Sequence, residues 1–381
     1  MRYYIIAGEA SGDLHGSRLI KELQLADREA EIRFWGGDLM IEAGGQIVRH
    51  INKSSFMGFW EVVKNAGTIL SGFRLCKKDI SQFMPDALIL IDYPGFNLRI
   101  AKFASKLDTK VFYYISPKVW AWNQSRVKVI KRYVDHMLTI FPFETGFYKK
   151  FGYKVEYVGN PLIDAIESRP GRGESFVEFN KRNKLSARPV IAVLAGSRVQ
   201  EIEKCLPLML SVTGHYPDYQ FVVAGAPSVD PAIYEKYTRS KVPVLFNQTY
   251  EILQQSAAAM VVSGTATLET ALLGVPLVVC YRGSFLSYAI AKKFIKVRYI
   301  SLVNLIIGKE VVKELVQNEL STENLKYELD RLLFDKKVRE MMAEEFNYLK
   351  SLLGGAGASR RAAKKIIGHL TYKNNDMGAS L

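Results

Sequence analysis

Short apolar runs alternate with helix-like segments along most of the chain. The runs lie at 2–8, 87–92, 110–116 and 136–141 in the first half, and at 189–197, 219–226, 258–264 and 276–281 in the second. Continuous apolar runs of this length are typical of parallel strands that are covered on both faces. Their alternation with helices predicts two doubly wound α/β domains, each with a parallel sheet.

A polar stretch separates the two halves. Residues 167–189 contain a Pro-Gly-Arg-Gly cluster, and the start of this stretch predicts a hinge. We therefore expect an N-terminal domain over 1–166 and a C-terminal domain over 167–353. Residues 354–381 predict a last helix that packs back on the first domain, followed by a frayed tail. Ligands bind beyond the carboxyl ends of the strands in such sheets, so facing domain edges would form a cleft.

The segment SGTATLE combines an anion-binding turn with an acid. Ser263, Gly264 and Thr265 would leave backbone N–H groups free at a helix N-terminus, where a phosphate is favoured. Glu269 lies one turn inside that helix, where it could accept hydrogen bonds from sugar hydroxyls. Phosphate and ribose contacts together indicate a nucleotide or a nucleotide sugar. An ordinary strand–helix connection with a capped helix has the same pattern.

Three further side chains are candidates for nucleotide contacts. Arg198 ends the AGSR turn after the first strand of the second half, where a guanidinium can pair with a phosphate through two hydrogen bonds. Residues 301–319 predict a strand-like piece that ends at Asn304, and then a helix. Asn304 and Gln317 are weaker candidates for reading a base or a phosphate.

The first half supplies a candidate base. Asp92 ends an apolar strand, and Pro94 and Gly95 then turn the chain. Partial burial would raise the pKa of this carboxyl toward the range of a general base. A turn-initiating aspartate that bonds its own backbone explains the position equally well. The GEASGD turn at 8–13 lacks the dinucleotide and P-loop fingerprints, and is either a ligand-binding or a structural turn.

Aromatic and basic residues occur together in two segments of the first half. In 116–133, Trp120 and Trp122 stand among lysines and arginines, a mixture that could stack bases, hold sugars or lie at lipid headgroups. A solvated basic helix is the alternative. Residues 56–78 contain too many apolar side chains for one core face, which suits an interfacial helix or an acyl-chain groove. A dimer contact or a buried core helix would also explain them.

Composition adds charge and excludes some chemistry. The 381 residues carry a formal net charge of +14, which favours an anionic partner such as nucleic acid, anionic lipid or a phosphorylated substrate. The three cysteines are scattered along the chain, so we expect buried thiols. The five histidines show no paired spacing, so we expect no protein-bound metal and no cofactor. No apolar run spans a bilayer and the first residues read as a strand, so we expect a cytoplasmic protein.

These motifs together resemble one family, bacterial lipid-A-disaccharide synthase. The matching pieces run in family order: GEASGD (8–13), MGFWEV (57–62), IDYPGFN (91–97), YISPKVWAWNQSRV (114–127), LTIFPFE (138–144), VGNPLID (158–164), LAGSRVQEIE (194–203), SGTATLE (263–269), GVPLVVCYR (274–282) and SLVNLIIGKEVVKELVQNE (301–319). One departure is Gly95, where the family often has a second acid. Asp92 is then the single base candidate.

The resemblance implies an inverting glycosyltransferase of the GT-B fold without a cofactor. It would transfer a 2,3-diacylglucosaminyl group from a UDP donor to the 6-hydroxyl of 2,3-diacylglucosamine 1-phosphate. It implies Asp92 as the catalytic base and donor contacts from Arg198, Ser263, Gly264, Thr265, Glu269, Asn304 and Gln317. It implies acceptor-side contacts from Glu9, Ser11, Gly12, Asn97, Ser116 and Trp120, and membrane contacts from Phe59, Trp60 and Phe73.

The implied partners are the two lipid substrates, UDP-diacylglucosamine and diacylglucosamine 1-phosphate, and an anionic membrane surface. We expect the protein to lie at the inner face of the inner membrane as a peripheral protein. We expect no nucleic acid as a partner, and a homodimer is compatible with the sequence. The mixed stretch 283–299 is a second candidate for the membrane contact. A UDP-sugar epimerase of the same fold is the nearest alternative. A non-catalytic basic protein that binds membrane or RNA is another.

Overall fold

The computed structural model describes residues 1–51, 66–121, 123–169, 171–283 and 298–378. The chain divides into two compact units. The first comprises Met1–Asp164 together with Gly355–Leu381, and the second comprises Ala165–Gly354. The acceptor and donor roles assigned to the two domains from the sequence stay predictions.

The first unit contains a seven-stranded parallel sheet in the order β3-β2-β1-β4-β5-β6-β7. The strands are β1 Arg2–Ala7, β2 Glu31–Gly36, β3 Gln46–His50, β4 Ala87–Ile91, β5 Lys110–Tyr114, β6 His136–Thr139 and β7 Glu156–Tyr157. The strand order reverses between β1 and β4, which lie side by side. The residues that follow these two strands therefore meet at the topological switch point, where doubly wound sheets bind ligands.

Helices cover the sheet of the first unit. They are α1 Ala10–Ala26, α2 Asp38–Ala43, α3 Ala66–Phe83, α4 Pro94–Ala104, α5 Arg126–Tyr133, α6 Pro142–Lys149 and α7 Pro161–Glu167, whose course contains the unit boundary. The C-terminal helix, α16 Ala358–Gly378, packs on α1 and β5. The Asp164 carboxylate accepts hydrogen bonds from the N–H groups of Gly357 and Ser359, and so caps the start of α16.

The second unit contains a six-stranded parallel sheet in the order β10-β9-β8-β11-β12-β13. The strands are β8 Val190–Leu194, β9 Gln220–Gly225, β10 Val244–Phe246, β11 Ser256–Val262, β12 Leu277–Tyr281 and β13 Glu314–Val316. Its helices are α8 Phe176–Arg182, α9 Val199–Leu210, α10 Pro231–Thr238, α11 Thr249–Gln254, α12 Thr265–Leu272, α13 Leu302–Ile307, α14 Thr322–Phe334 and α15 Lys336–Leu352. Its switch point lies between β8 and β11.

The prediction of two doubly wound α/β domains is confirmed, and all eight predicted strands are present. Cys76, Cys205 and Cys280 are buried free thiols, also as predicted. The order of elements predicted for 301–319 is wrong. Its first part is the helix α13, because the Ser301 hydroxyl accepts the Asn304 N–H at 3.2 Å and caps a new helix, and the strand β13 follows it.

Candidate active site

Asp92 is the first residue after β4, at the switch point of the first unit. Its φ of +43° and the φ of +48° at Tyr93 place both residues in the left-handed region, which is costly for side chains other than glycine. Two donors hold this turn through the Asp92 carbonyl: Asn97 Nδ2 at 2.7 Å and the Tyr113 hydroxyl at 2.5 Å. The strained backbone is therefore fixed on two sides.

The environment of Asp92 suits a base at neutral pH. Burial raises the pKa of its carboxyl to about 6, and the negative charge of Glu9 adds to this effect. The positive charge of Lys118 and the N–H of Tyr93 oppose the shift. Glu9 is the N-cap residue of α1, directly after β1, so the strand order brings the two acids together. Gly95, where the resemblance implies a second acid, lies on the first turn of α4, and Glu9 is the acid whose charge acts on Asp92.

The GEASGD turn has a structural role that its residue types explain. A side chain at Gly8 would overlap the ring of Tyr93, and a Cβ at Gly12 would lie 3.1 Å from the Cβ of Ala7. Asp13 is buried, and its carboxylate accepts the N–H groups of Gly37, Leu39 and Met40 at the start of α2. Ser11, in contrast, is exposed on the first turn of α1. The turn thus packs closely beside Asp92 and leaves Glu9 and Ser11 at its rim.

Asn97 is a positioning residue, and its predicted contact with the acceptor is wrong. The side chain is fully buried, and Nδ2 donates to the carbonyls of Ile91, at 3.2 Å, and of Asp92. These two bonds tie the start of α4 to the end of β4. Asn97 therefore shapes the turn that presents Asp92 and has no surface for a ligand.

Ser116 and Trp120 are buried as well, which contradicts a direct acceptor contact. The Ser116 hydroxyl lies 2.6 Å from the Tyr148 hydroxyl, and Trp120 packs edge-on against Phe143 with ring centroids 5.0 Å apart. Nearby, the carboxylate of the buried Glu144 accepts the backbone N–H groups of Ile140 at 3.2 Å and of Phe141 at 3.0 Å. Burial still raises the pKa of Glu144 to about 7. Glu144 ends the motif LTIFPFE, but nothing in the sequence indicated that it is buried.

The second unit offers an uncapped helix N-terminus at its switch point. Gly264, the N-cap of α12, has no side chain to accept from the first N–H groups of the helix, and Thr265 is exposed. The Ser263 hydroxyl donates to the carbonyl of Ile300 at 2.8 Å and fixes the turn. Free N–H groups at the positive end of a helix dipole form a site for an anion such as a phosphate.

The AGSR turn after β8 differs, because a carboxylate of the chain already occupies it. The Glu201 carboxylate accepts the N–H of Ser197 at 3.3 Å and forms an ion pair with Arg198 at 3.5 Å. The Arg198 side chain is 65% exposed, so its guanidinium reaches solvent beside this turn. Of the two turns, the one before α12 is therefore the better anion site, and Arg198 adds a positive charge on the same sheet edge.

Glu269 lies on α12, partly buried, and is held by a residue that the sequence did not indicate. The Tyr250 hydroxyl on α11 donates to its carboxylate at 2.8 Å. Burial raises the pKa of Glu269, and the hydrogen bond from Tyr250 opposes this shift. The acid is thus oriented on the first turns of the helix whose N-terminus is free.

Asn304 does not read a ligand, and the prediction of its donor contact is wrong. The side chain is fully buried; Nδ2 donates to the Val312 carbonyl and the Glu314 carboxylate, and Oδ1 accepts the N–H groups of Val311 and Val312. Its hydrogen-bonding capacity is therefore used within the loop before β13.

Gln317 remains a donor candidate. It follows β13 with a φ of +57°, and its Nε2 is buried with no hydrogen-bond partner among the described residues. A buried amide without a partner is costly, which is consistent with a group that awaits a ligand.

The predicted membrane contacts divide into two groups. Phe59 and Trp60 lie outside the described residues, as do Trp122 and most of 283–299. Phe73 is described, and the expectation that it is exposed is wrong. Its ring stacks on Phe96 with centroids 4.4 Å apart, inside the core of the first unit. On α3, Phe73 shares a buried face with residues three to four positions apart, namely Cys76, Ile80 and Phe83. Among the described residues, no helix is both long and apolar enough to cross a bilayer.

Comparison with known proteins decides the family. The model of one family, described as Lipid-A-disaccharide synthetase, matches residues 3–366. The chain belongs to this family. A lipid-A-disaccharide synthase from Trichlorobacter lovleyi is 38% identical over 373 residues, which cover 96% of this chain and 97% of that protein. The resemblance noted from the motifs is thereby confirmed along nearly the whole chain, and the chain is a glycosyltransferase of lipid A disaccharide synthesis.

Similar solved structures show that this chain has the GT-B fold. A UDP-GlcNAc 2-epimerase from Neisseria meningitidis, bound to UDP-GlcNAc, superposes with a TM-score of 0.69 at 15% identity, with coverage of 97% of this chain and all (100%) of that one. The calicheamicin glycosyltransferase gives a TM-score of 0.58 at 16% identity, with coverage of 97% and 98%. Likeness at such low identity shows the fold alone. The epimerase alternative is therefore not favoured over the synthase family.

Proposed function

We propose that the chain joins UDP-2,3-diacylglucosamine to 2,3-diacylglucosamine 1-phosphate and forms lipid A disaccharide 1-phosphate and UDP. The match of residues 3–366 to the synthase family carries this proposal. The geometry of the two switch points supports it, because one unit presents a base and the other an anion site.

Asp92 is the proposed general base. Its carboxylate would take the proton of the acceptor 6-hydroxyl as the oxygen attacks the anomeric carbon of the donor sugar. The bond from that carbon to the UDP oxygen breaks in the same displacement, and the configuration at the carbon inverts. A carboxyl with a pKa of about 6 is ionised at neutral pH and can still hold the proton that it receives.

The turn before α12 is the proposed diphosphate site. The Ser263 N–H donates to the Cys280 carbonyl at 3.1 Å, so the expectation that it is free is wrong. The N–H groups of Gly264 and Thr265 at the start of α12 would stabilise the charge that develops on the leaving UDP, and the Arg198 guanidinium would add to it. Glu269, held by Tyr250 at 2.8 Å, would accept hydrogen bonds from the ribose hydroxyls. This arrangement would stabilise the charge on the leaving UDP through protein groups.

The exposed side of α3 supports a peripheral membrane contact. Leu70 and Leu75 are 53% and 42% exposed, and the neighbouring Arg74, Lys77 and Lys78 are exposed too. Apolar side chains among basic ones favour an anionic lipid surface. The net charge of +14 acts in the same direction. A position on the inner face of the inner membrane would bring the enzyme to substrates that are anchored by acyl chains.

An acceptor without the reactive hydroxyl tests the proposed chemistry. The 6-deoxy analogue of 2,3-diacylglucosamine 1-phosphate should compete with the natural acceptor and yield no disaccharide, because it has no proton for Asp92 and no attacking oxygen. Mass spectrometry of the lipid products measures this. A disaccharide formed from the 6-deoxy acceptor would show that another hydroxyl attacks and would contradict the proposal.

A further inference from the structure

Three ligating side chains meet at the amino-terminal edge of the first unit's sheet. His136 and Glu156 begin the adjacent strands β6 and β7, and His369 lies on the C-terminal helix α16. One ligating atom from each lies within 4.8 Å of the others. The two imidazole rings stack with centroids 3.7 Å apart, and His369 Nε2 lies 2.6 Å from Glu156 Oε1.

We propose that His136, Glu156 and His369 bind a zinc ion. Two imidazoles and one carboxylate form a ligand set that zinc accepts, with a water molecule in the fourth position. Tetrahedral bonds of about 2.0–2.2 Å would place the ligand atoms about 3.4 Å apart. The present separations bracket this value, from 2.6 Å between His369 Nε2 and Glu156 Oε1 to at most 4.8 Å within the set, so the side chains would have to shift to reach it. When zinc binds, two metal–ligand bonds would replace the hydrogen bond between His369 and Glu156, and the His136 ring would turn out of its stack.

One neighbouring side chain would support the ligand set. Lys365 Nζ lies 2.7 Å from Glu156 Oε2, the oxygen that zinc would leave unused, and so would hold the carboxylate in orientation. Two further charged side chains lie nearby, Asp135 and Lys110, and they form an ion pair with each other at 3.4 Å.

The position of the cluster indicates a structural role for the ion. His136 and Glu156 lie at the starts of their strands, whereas Asp92 follows the end of β4 in the same parallel sheet. The cluster and the proposed base are therefore at opposite edges, and the ion takes no part in glycosyl transfer. It would instead join α16 to the strands β6 and β7, and so stabilise the return of the C-terminal helix to the first unit.

Calorimetric titration with zinc chloride tests the proposal on the full chain without an affinity tag. We expect one saturable site per chain. His136→Asn and His369→Asn should each weaken zinc binding by about tenfold or more, by analogy with the 10- to 100-fold effects of supporting residues at metal sites. His215→Asn, a change at an exposed histidine of the second unit, is the matched control and should leave zinc binding unaltered. Equal affinity in all four proteins would overturn the proposal.

A second measurement on the unchanged protein covers the case in which a histidine variant fails to fold. X-ray absorption of the zinc-loaded chain should show nitrogen and oxygen ligands, with imidazole scattering and distances of about 2.0–2.2 Å. A shell containing sulfur, or one without imidazole, would overturn the proposal. Zinc should also raise the unfolding temperature of the parent, and the same increase in a folded His136→Asn variant would count against the site.

Discussion

Replacing Asp92 by asparagine keeps the size of the side chain and removes the proton acceptor. A lost general base lowers turnover by roughly 10²–10⁴-fold, which is about 3–5 kcal/mol of activation free energy. Binding of the UDP donor should survive, because the proposed donor contacts lie in the second unit. In the parent, kcat/KM should rise with pH and reach a plateau above the Asp92 pKa of about 6, since only the ionised carboxyl accepts a proton.

The same substitution should stabilise the folded protein at alkaline pH. The pKa of Asp92 rises from 3.8 to about 6 on folding, so the folded state holds this proton more tightly than the unfolded state. Stability therefore falls as pH rises through the window between these values, and the full loss is present above it. A shift of about two units corresponds to an upper bound of about 3 kcal/mol. Asp92→Asn should recover part of it at pH 8 and almost none at pH 4.

Two assays on one set of proteins separate a functional acid from a structural one. Initial rates give the loss of turnover, and thermal unfolding at pH 4 and pH 8 gives the change in stability. Asp86→Asn is the matched control, because Asp86 is exposed at the other end of the same strand. It should keep normal turnover and gain no stability at pH 8. Near-normal turnover in Asp92→Asn would refute the role of Asp92 as the base.

Four other predictions concern separate parts of the chain. Glu9→Gln should move the acid limb of the kcat/KM profile to lower pH, because it removes a negative charge that raises the pKa of Asp92; an unmoved limb would contradict this. Glu269→Ala should weaken UDP binding in calorimetry, and unchanged affinity would remove it from the ribose site. Phe73→Ala should cost about 3–5 kcal/mol of unfolding free energy as a core change, whereas Leu75→Ser should mainly reduce pelleting with anionic vesicles. Initial rates should persist in excess chelator, and a loss that magnesium restores would show a metal requirement.

Much of the fold could be predicted because buried parallel strands read as continuous apolar runs. The five strands that the sequence did not reveal lack this signal. In β2 the polar residues Glu31 and Arg33 interrupt the apolar run, and β3 lies at one edge of its sheet without a buried residue. β7 has two residues, and β10 and β13 have three each. Tertiary pairing, and not local pattern, makes these segments strands.

The site could be predicted in part, since Asp92 and the turn at Gly264 directly follow predicted strands. The proximity of Glu9 to Asp92 depends on the order of strands in the sheet, which the sequence does not give. The predictions for Asn304 and Trp120 are wrong because a residue's type does not tell whether its side chain is buried inside the protein.

The histidine pair could not have been predicted from spacing. His136 begins a strand of the first unit and His369 lies near the end of the chain, and only the return of α16 to that unit brings their rings together.

Release of UDP from the diacylated donor, measured with and without the lipid acceptor, tests the central claim most directly. If the enzyme is a synthase, UDP should appear at a substantial rate only when both lipids are present, and in an amount equal to that of the disaccharide formed. Consumption of the donor at the same rate without the acceptor would instead indicate epimerisation or hydrolysis and would contradict the account.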